Sequence, residues 1–145
     1  MTAAPLTSTA DGVTVVPSDA GTVRRIAEIP GGAAAVGPFS QAVVANGFVF
    51  TAGQIPAISG PDDQPESFTD QVRQTFENVK TILEASGSGL DNVVKVNAYV
   101  TDLTRFAEFN EVYKEYFEHD PPARTTVAAA LLGMLVEVDC IAVVE

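Results

Sequence analysis

The sequence predicts an α+β domain in which a six-stranded mixed sheet carries two helices on one face. Three observations support this fold class. Six short segments have the alternating or continuous apolar pattern of strands, and two longer segments have apolar residues at helical spacing. They follow the order strand, hairpin, helix, strand, helix, hairpin, which is typical of a layered α+β domain. With 46% apolar residues among 145, the chain is long enough for one domain with a substantial core.

The chain is predicted to consist of an N-terminal extension, residues 1–20, and a folded domain, residues 21–145. The extension is rich in Ala, Thr, Ser and Pro, and only Val13–Val16 resembles a strand. It contains neither Lys nor Arg and no long apolar run, so it indicates neither a secretory signal nor a membrane span. We therefore expect a soluble cytoplasmic protein.

The first part of the domain is predicted to contain three strands and a long loop. Thr22–Ile29 has the composition of a strand, and Ser40–Ala45 and Phe48–Ala52 flank the dipeptide Asn46-Gly47. Because this dipeptide suits the two positive φ values of a type I′ turn, the two flanking segments predict a hairpin. A loop is predicted over Gly53–Glu66, which is interrupted by prolines and glycine.

Two helices are predicted, each with one buried face. The first follows Ser67, a plausible cap, and Gly87 lies just beyond its last turn. The second runs from about Thr104 to Phe117 and carries a stripe of aromatic residues, which we interpret as core rather than as a ligand site. The stripe consists of Phe106, Phe109, Tyr113 and Tyr116.

The last three strands are predicted at Val94–Val100, Ala123–Leu131 and Val136–Val144, with the last two joined as a hairpin at 132–134. Several of these segments are small or apolar on both faces. Two helices can cover only one face of a sheet of about six strands. We therefore expect the uncovered face to pack against other subunits.

Composition excludes several classes of function. The net charge is -11 and the chain has only 8 Lys and Arg residues, so a nucleic-acid partner is not expected. A single cysteine, Cys140, excludes an internal disulfide, and its apolar strand indicates a buried core position. The lone histidine, His119, lacks a second histidine for a metal site. We therefore expect no metal site at this histidine.

Arg124 and Glu137 are the two candidate catalytic residues. Pro121-Pro122 fixes an extended backbone at the start of the following strand. The guanidinium of Arg124 is then positioned to bind a carboxylate through two hydrogen bonds. The alternative is that Arg124 extends from the end of the strand and pairs with a surface acid. Glu137 lies between two valines, where a carboxyl group either pairs with a cation or has its pKa shifted toward proton transfer. In the predicted hairpin the two residues are offset by about five positions, roughly 17 Å. A bulge or a second subunit would then have to bring them together.

Several segments resemble the RidA/YjgF family of enamine and imine deaminases. The resemblance covers about Thr22–Val144, and the segments occur in the family's order. They are Gly37-Pro38-Phe39-Ser40-Gln41-Ala42, Phe50-Thr51-Ala52-Gly53-Gln54-Ile55-Pro56, Gln74-Thr75-Phe76-Glu77-Asn78-Val79-Lys80, Asn110-Glu111-Val112-Tyr113, Pro122-Ala123-Arg124 and Val136-Glu137-Val138.

This resemblance implies a chorismate-mutase-like fold, a homotrimer with clefts between subunits, and a reaction without metal or organic cofactor. The implied reaction is hydrolysis of 2-aminoacrylate-type enamines and 2-imino acids to 2-keto acids and ammonia. Arg124 would bind the substrate carboxylate, Glu137 would position or deprotonate the attacking water, and Asn110 would support them. The backbone of Gly53 and that of Thr126 would line the cleft.

The sequence also departs from the family at positions that matter for chemistry. Phe39 and Ala52 stand where active deaminases often have Tyr and Ser, and Thr126 stands where members often have Cys. Because loss of one positioned proton-transfer group commonly costs about 10²–10⁴-fold in rate, activity could be weak or redirected.

Three functions therefore stay open. The first is deamination of short 2-imino acids. The second is a specialised pathway enzyme that hydrolyses or tautomerises a bulkier enamine, imine or carboxylate. The third is a non-catalytic trimer that binds small carboxylates or a protein partner. Ribonuclease activity or translation inhibition, described for other family members, is the weakest alternative because this chain is acidic.

Overall fold

The computed structural model describes residues 7–8, 14–17, 23–29 and 31–144. Within these residues the chain forms one sheet of eight strands, two α-helices and two short 3-10 helices. The strands are β1 Thr7–Ser8, β2 Thr14–Pro17, β3 Arg24–Glu28, β4 Ala42–Ala45, β5 Phe48–Thr51, β6 Val93–Val100, β7 Ala123–Ala128 and β8 Val136–Val143, and the α-helices are α1 Phe68–Ala85 and α2 Phe106–Tyr116.

The sheet is mixed, with the strand order β1-β2-β3-β4-β5-β8-β6-β7. All neighbouring strands are antiparallel except β6 and β7, which are parallel. Strands β3 to β8 confirm the six predicted strand segments. Strands β1 and β2 fall in the predicted extension and lengthen the sheet beyond β3, so the sheet has two more strands than predicted.

The predicted hairpin of the last two strands is wrong. β8 lies between β5 and β6, whereas β7 pairs with the other edge of β6. Consecutive strands usually lie side by side, and this tendency is what the prediction assumed. Here α2 supplies the long crossover that parallel pairing requires, so β7 returns beside β6 and the chain then passes to the opposite side of β6.

The local signals at the ends of the elements are confirmed. Asn46 and Gly47 have φ values of 51° and 80° in the turn between β4 and β5. Ser67 Oγ accepts a hydrogen bond from the Asp70 N–H at 3.2 Å, which caps α1. Gly87, with φ of 84°, follows that helix. α2 begins at Phe106, after a 3-10 turn, and therefore two residues later than predicted.

Both helices pack on one face of the sheet and form the core with it. Fully buried Phe76 of α1 and Phe109 of α2 lie 6.2 Å apart between ring centroids, above buried strand residues such as Val96 and Val138. Cys140 is also buried there, and burial raises the pKa of its thiol to about 12, as expected for a core position.

None of the helices in the described residues is long and apolar enough to cross a membrane.

The opposite face of the sheet has no helix over it among the described residues. Four large apolar side chains on this face are each 40% to 43% exposed, which leaves an apolar surface in contact with solvent. They are Phe48, Phe50, Val127 and Val143.

Candidate functional site

The structure divides the predicted site residues into two groups on opposite faces of the sheet. Arg124 lies directly opposite Val96 in the parallel ladder, and Val96 is fully buried beneath the helices, so Arg124 faces the helix side. Glu137 lies opposite Tyr99 in the ladder between β8 and β6 and has a buried valine on each side. Because successive side chains alternate between faces, Glu137 projects from the uncovered face.

The two groups are also separated within the sheet. Tyr99 is opposite both Glu137 on β8 and Val127 on β7, and Val127 lies three residues beyond Arg124. With β6 between them, the two Cα atoms are about 10 Å apart across the strands and about 10 Å apart along them. The ladder has no bulge over Lys95–Val100. One copy of the chain therefore does not bring Arg124 and Glu137 together.

Arg124 rests against an aromatic surface of α2. Its guanidinium carbon lies 4.5 Å from the ring centroid of Tyr113 and 5.4 Å from the centroids of Phe106 and Phe109. Such cation–π contacts contribute roughly 0.5–2 kcal/mol and hold the planar group in one orientation. No carboxylate in the described part of the chain forms an ion pair with it. The guanidinium donors are therefore available to an external anion.

Polar groups with unused hydrogen-bonding capacity lie near Arg124. Thr126 is two residues further along β7 and faces the same side, and its buried Oγ1 has no hydrogen-bond partner within the described residues. The hydroxyl of Tyr113 also has no hydrogen-bond partner within the described residues. Tyr113 is 7% exposed, and this burial raises the pKa of its hydroxyl to about 12. Asn110 follows Phe106 by one turn of α2 and is half-buried. Since an unpaired buried hydroxyl costs about 1–3 kcal/mol, this region is built to receive a further polar group.

Glu137 lies at a small cavity together with two other predicted residues, Phe39 and Gly53. The cavity has a volume of ≈130 Å³. A Cβ atom on Gly53 would lie 3.0 Å from the carboxyl carbon of Glu137 and would overlap the carboxylate, so glycine allows the backbone this close approach. The neighbouring residue Gln54 exchanges backbone hydrogen bonds of 2.7 and 3.0 Å with Val138, which holds the loop after β5 against β8.

The other polar side chains at this cavity bond to each other or to the backbone. Gln41 Nε2 donates to the carbonyl of Ala33 at 2.8 Å, and Gln54 Nε2 donates to Gln41 Oε1 at 3.3 Å. Ala52 comes immediately before Gly53 in the sequence but is not among the residues that line this cavity. Among the described residues the carboxylate of Glu137 has no hydrogen-bond partner, which leaves it free to bind water.

Burial, and secondarily the nearby Asp139 carboxylate, raise the pKa of Glu137. Asp139 shares the uncovered face and accepts a hydrogen bond of 2.8 Å from Asn97 Nδ2. A carboxyl group with a raised pKa is a better proton acceptor when ionised, so Glu137 suits general acid–base chemistry.

Two features of the site were missed by sequence reasoning. The first is the contact between Tyr113 and Arg124. The sequence correctly predicts that Tyr113 is a core residue, but the contact depends on the parallel pairing of β6 and β7, which the sequence does not reveal. The second is the hydrogen bond between Gln54 and Gln41. Both residues lie within segments that resemble the family, but their hydrogen bond depends on the fold.

In the described residues no cluster of three or more His, Cys, Asp or Glu could hold a metal ion.

The aromatic support of Arg124 can be tested with a matched pair of variants. Tyr113→Leu removes the ring beneath the guanidinium, whereas Tyr113→Phe keeps it. Both variants lose the hydroxyl, but only Tyr113→Leu loses the ring, so we expect Tyr113→Leu to bind 2-oxobutanoate roughly 2- to 30-fold more weakly than Tyr113→Phe, the equivalent of one cation–π contact. Titration calorimetry measures both, with circular dichroism to confirm folding. Equal weakening in both variants would assign the effect to the hydroxyl instead of the ring.

The raised pKa of Glu137 predicts how the free energy of unfolding changes with pH. Because the folded-state pKa lies above the unfolded one, the carboxyl group favours folding when protonated, and this contribution is lost as the pH rises through the folded pKa. Glu137→Gln, which cannot ionise, should therefore have a higher melting temperature than the unmodified protein at pH 7, and the difference should shrink toward pH 4. Glu66→Gln, at an exposed position, controls for the loss of one charge. A difference that does not change with pH would contradict the assignment.

Comparison with known proteins places these features in a family. The model of the family "Endoribonuclease L-PSP" matches residues 31–144. A RutC family protein of Pyrococcus horikoshii is 44% identical over 113 residues, which cover 76% of this chain and 90% of that protein. TdcF of Escherichia coli K12, provisionally named a reactive intermediate deaminase, is 38% identical over 126 residues, which cover 83% of this chain and 98% of TdcF.

Solved structures show the same relationship. Yeast Mmf1 aligns with a TM-score of 0.77 at 41% identity and covers 86% of this chain and 100% of its own. RidA of a Psychrobacter species aligns with a TM-score of 0.75 at 38% identity, and E. coli TdcF with bound serine with 0.74 at 38%. Both alignments cover 81% of this chain and 97% of the solved one. The resemblance found in the sequence is thereby confirmed: the chain belongs to the endoribonuclease L-PSP family, together with RidA and TdcF.

Proposed function

We propose that the protein is a cofactor-free hydrolase that converts reactive enamines and 2-imino acids to 2-keto acids and ammonia. One observation carries this proposal: two charged side chains lack a charged partner among the described residues, and one of them can bind a carboxylate while the other can transfer a proton. Arg124 is held by aromatic rings and has no acid partner among the described residues, and Glu137 is a carboxylate of raised pKa at a cavity. The name of TdcF and its structure with bound serine, which also carries a carboxylate, support a small substrate of this kind.

In the proposed reaction, Arg124 forms a bidentate pair with the substrate carboxylate and thereby orients C2. Glu137 accepts a proton from water as the water oxygen bonds to C2 and the C=N electron pair moves to nitrogen. Glu137 then returns the proton to nitrogen, which gives a carbinolamine with a hydroxyl and an amino group on C2. Glu137 next accepts the hydroxyl proton and passes it to the amino nitrogen, so that the C2–N bond breaks, ammonia leaves and the C2 carbonyl forms. An enamine would first gain a proton at C3 and lose one from nitrogen to become the imine. Glu137 is the one titratable side chain among the residues lining the ≈130 Å³ cavity, so it serves as both base and acid.

We further propose that the working site forms between copies of the chain in a homotrimer, with Arg124 from one subunit and Glu137 from the next. The opposite orientation of the two groups in one chain supports this arrangement. The half-exposed apolar side chains of the uncovered sheet face, Phe48 and Phe50 among them, support subunit packing there. Because β7 is an edge strand, Arg124 lies where a neighbouring subunit can approach it.

A non-catalytic trimer that binds small carboxylates is the second candidate. It is favoured by Phe39, which lines the Glu137 cavity without a hydroxyl to order a water or relay a proton. Ala52, next to Gly53 in the sequence, also has no hydroxyl. The family name describes an endoribonuclease, but a net charge of -11 disfavours an RNA substrate. We propose the cytoplasm as the location, although one relative in yeast is named as a mitochondrial protein.

The function can be tested by generating 2-iminobutanoate in situ with an amino-acid oxidase and measuring the rate of keto-acid formation. We expect the unmodified protein to accelerate it. Arg124→Ala should lower kcat/KM by about 30-fold or more, since truncating one partner of a buried charged contact costs roughly 2 kcal/mol or more. Glu137→Gln should lower kcat by about 10²–10⁴-fold, as for loss of a general base.

The control is Arg105→Ala, because Arg105 also stacks on an aromatic ring, Phe68, but pairs with surface acids. It should leave the rate unchanged. Full activity of Arg124→Ala would contradict the carboxylate-binding role. If the unmodified trimer gave no acceleration, the binding function would replace the enzymatic one.

A further inference from the structure

We propose that the Glu137 site continues into an apolar subsite that selects 2-imino acids with large apolar side chains, of the size derived from methionine, leucine or phenylalanine. This inference rests on the proposed function, because it assigns the substrate class of that same site. It concerns the part of the substrate that does not react. Three observations support it: a second cavity next to the first, the apolar lining of that cavity, and the lack of a side-chain partner for a polar substrate among the described residues.

The second cavity adjoins the first and shares Glu137, Val36 and Ile55 with it. Its volume is ≈420 Å³, against ≈130 Å³ for the first. A volume of this size is typical of small-molecule sites. Because about 10–15 Å³ of cavity volume is enough for one water molecule, the second cavity is also far larger than one methyl group requires. The site is therefore larger than 2-iminopropanoate requires.

The lining of the second cavity is apolar apart from Glu137. Leu131, Leu132 and Met134 come from the connection between β7 and β8 and line the cavity together with Val36 and Ile55. None of these side chains can pair with a charged or hydrogen-bonding group. A polar substrate side chain would meet no side-chain partner other than Glu137 in exchange for the water it loses, whereas each buried methylene gains roughly 0.8 kcal/mol, about fourfold in kcat/KM.

The neighbouring polar side chains do not change this balance. Gln41 and Gln54 at the first cavity are held by each other and by the Ala33 carbonyl, so their amides are not directed to a ligand. Phe39 adds a ring without a hydroxyl. At the rim of the second cavity Leu132 is 94% exposed and Val36 is 58% exposed, and both would be covered by an apolar substrate side chain.

The experiment compares kcat/KM for three imines generated by amino-acid oxidase from alanine, methionine and glutamine. The methionine and glutamine products have similar length but differ in polarity. We expect the methionine-derived imine to exceed each of the others by roughly tenfold or more, since it buries more than one additional methylene without stranding a polar group. Leu132→Ser should lower the methionine-to-alanine ratio by about fourfold, whereas Leu103→Ser, at an exposed leucine elsewhere, should leave it unchanged.

A second measurement does not depend on turnover. Titration calorimetry should show tighter binding of 4-methyl-2-oxopentanoate than of pyruvate, again with Leu132→Ser reducing the difference. Hydrolysis of all three imines with the alanine-derived one preferred, and equal affinity for the two keto acids, would overturn the subsite and leave the deaminase function intact. Tighter binding of the branched keto acid without any imine hydrolysis would support the subsite and overturn the deaminase function.

Discussion

The parallel pairing of β7 with β6 determines where the chemically useful side chains lie. It requires a crossover long enough to hold α2, and α2 brings its aromatic stripe above the start of β7. In this position Arg124 stacks on Tyr113, and Glu137, two strands away, projects from the other face. An antiparallel pair of β7 and β8 would instead have placed both residues on neighbouring strands. The separation of base and guanidinium is thus a direct consequence of sheet topology.

Each half of the proposed site is well formed but incomplete in one copy of the chain. The Arg124 half contains a fixed cation and unpaired buried hydroxyls, and the Glu137 half contains a carboxylate that the Gly53 backbone approaches closely. Both arrangements carry a cost in free energy, through unpaired polar groups on one side and a partly desolvated carboxyl group on the other. A bound carboxylate and an associated subunit would offset these costs, which links assembly, substrate binding and catalysis to the same contacts.

The sequence predicted those features that depend on local interactions. The type I′ turn at Asn46-Gly47, the cap at Ser67 and the burial of Phe109 and Tyr113 on α2 are each set by a few neighbouring residues. The prediction that Phe106 is also a core residue is wrong, because its side chain is 41% exposed. Arg124 and Glu137 could be singled out as well, because their charge contrasts with an apolar surrounding. The strand order could not be predicted in this way, because the pairing of β7 and of β8 is decided by contacts between distant segments. The opposite faces of Arg124 and Glu137 and the role of Tyr113 depend on that order.

The most direct test of a site shared between subunits is complementation of two inactive variants. Arg124→Ala and Glu137→Gln chains, each strongly impaired alone, would be coexpressed with different tags, and the mixed trimers would be isolated through both tags. If Arg124 of one subunit works with Glu137 of the next, every mixed trimer, whether 2:1 or 1:2, has both groups intact at one of its three sites. We therefore expect the mixed trimers to hydrolyse the imine at about one third of the unmodified rate. Mixed trimers as inactive as the two parents would show that both groups must come from one chain and would contradict it.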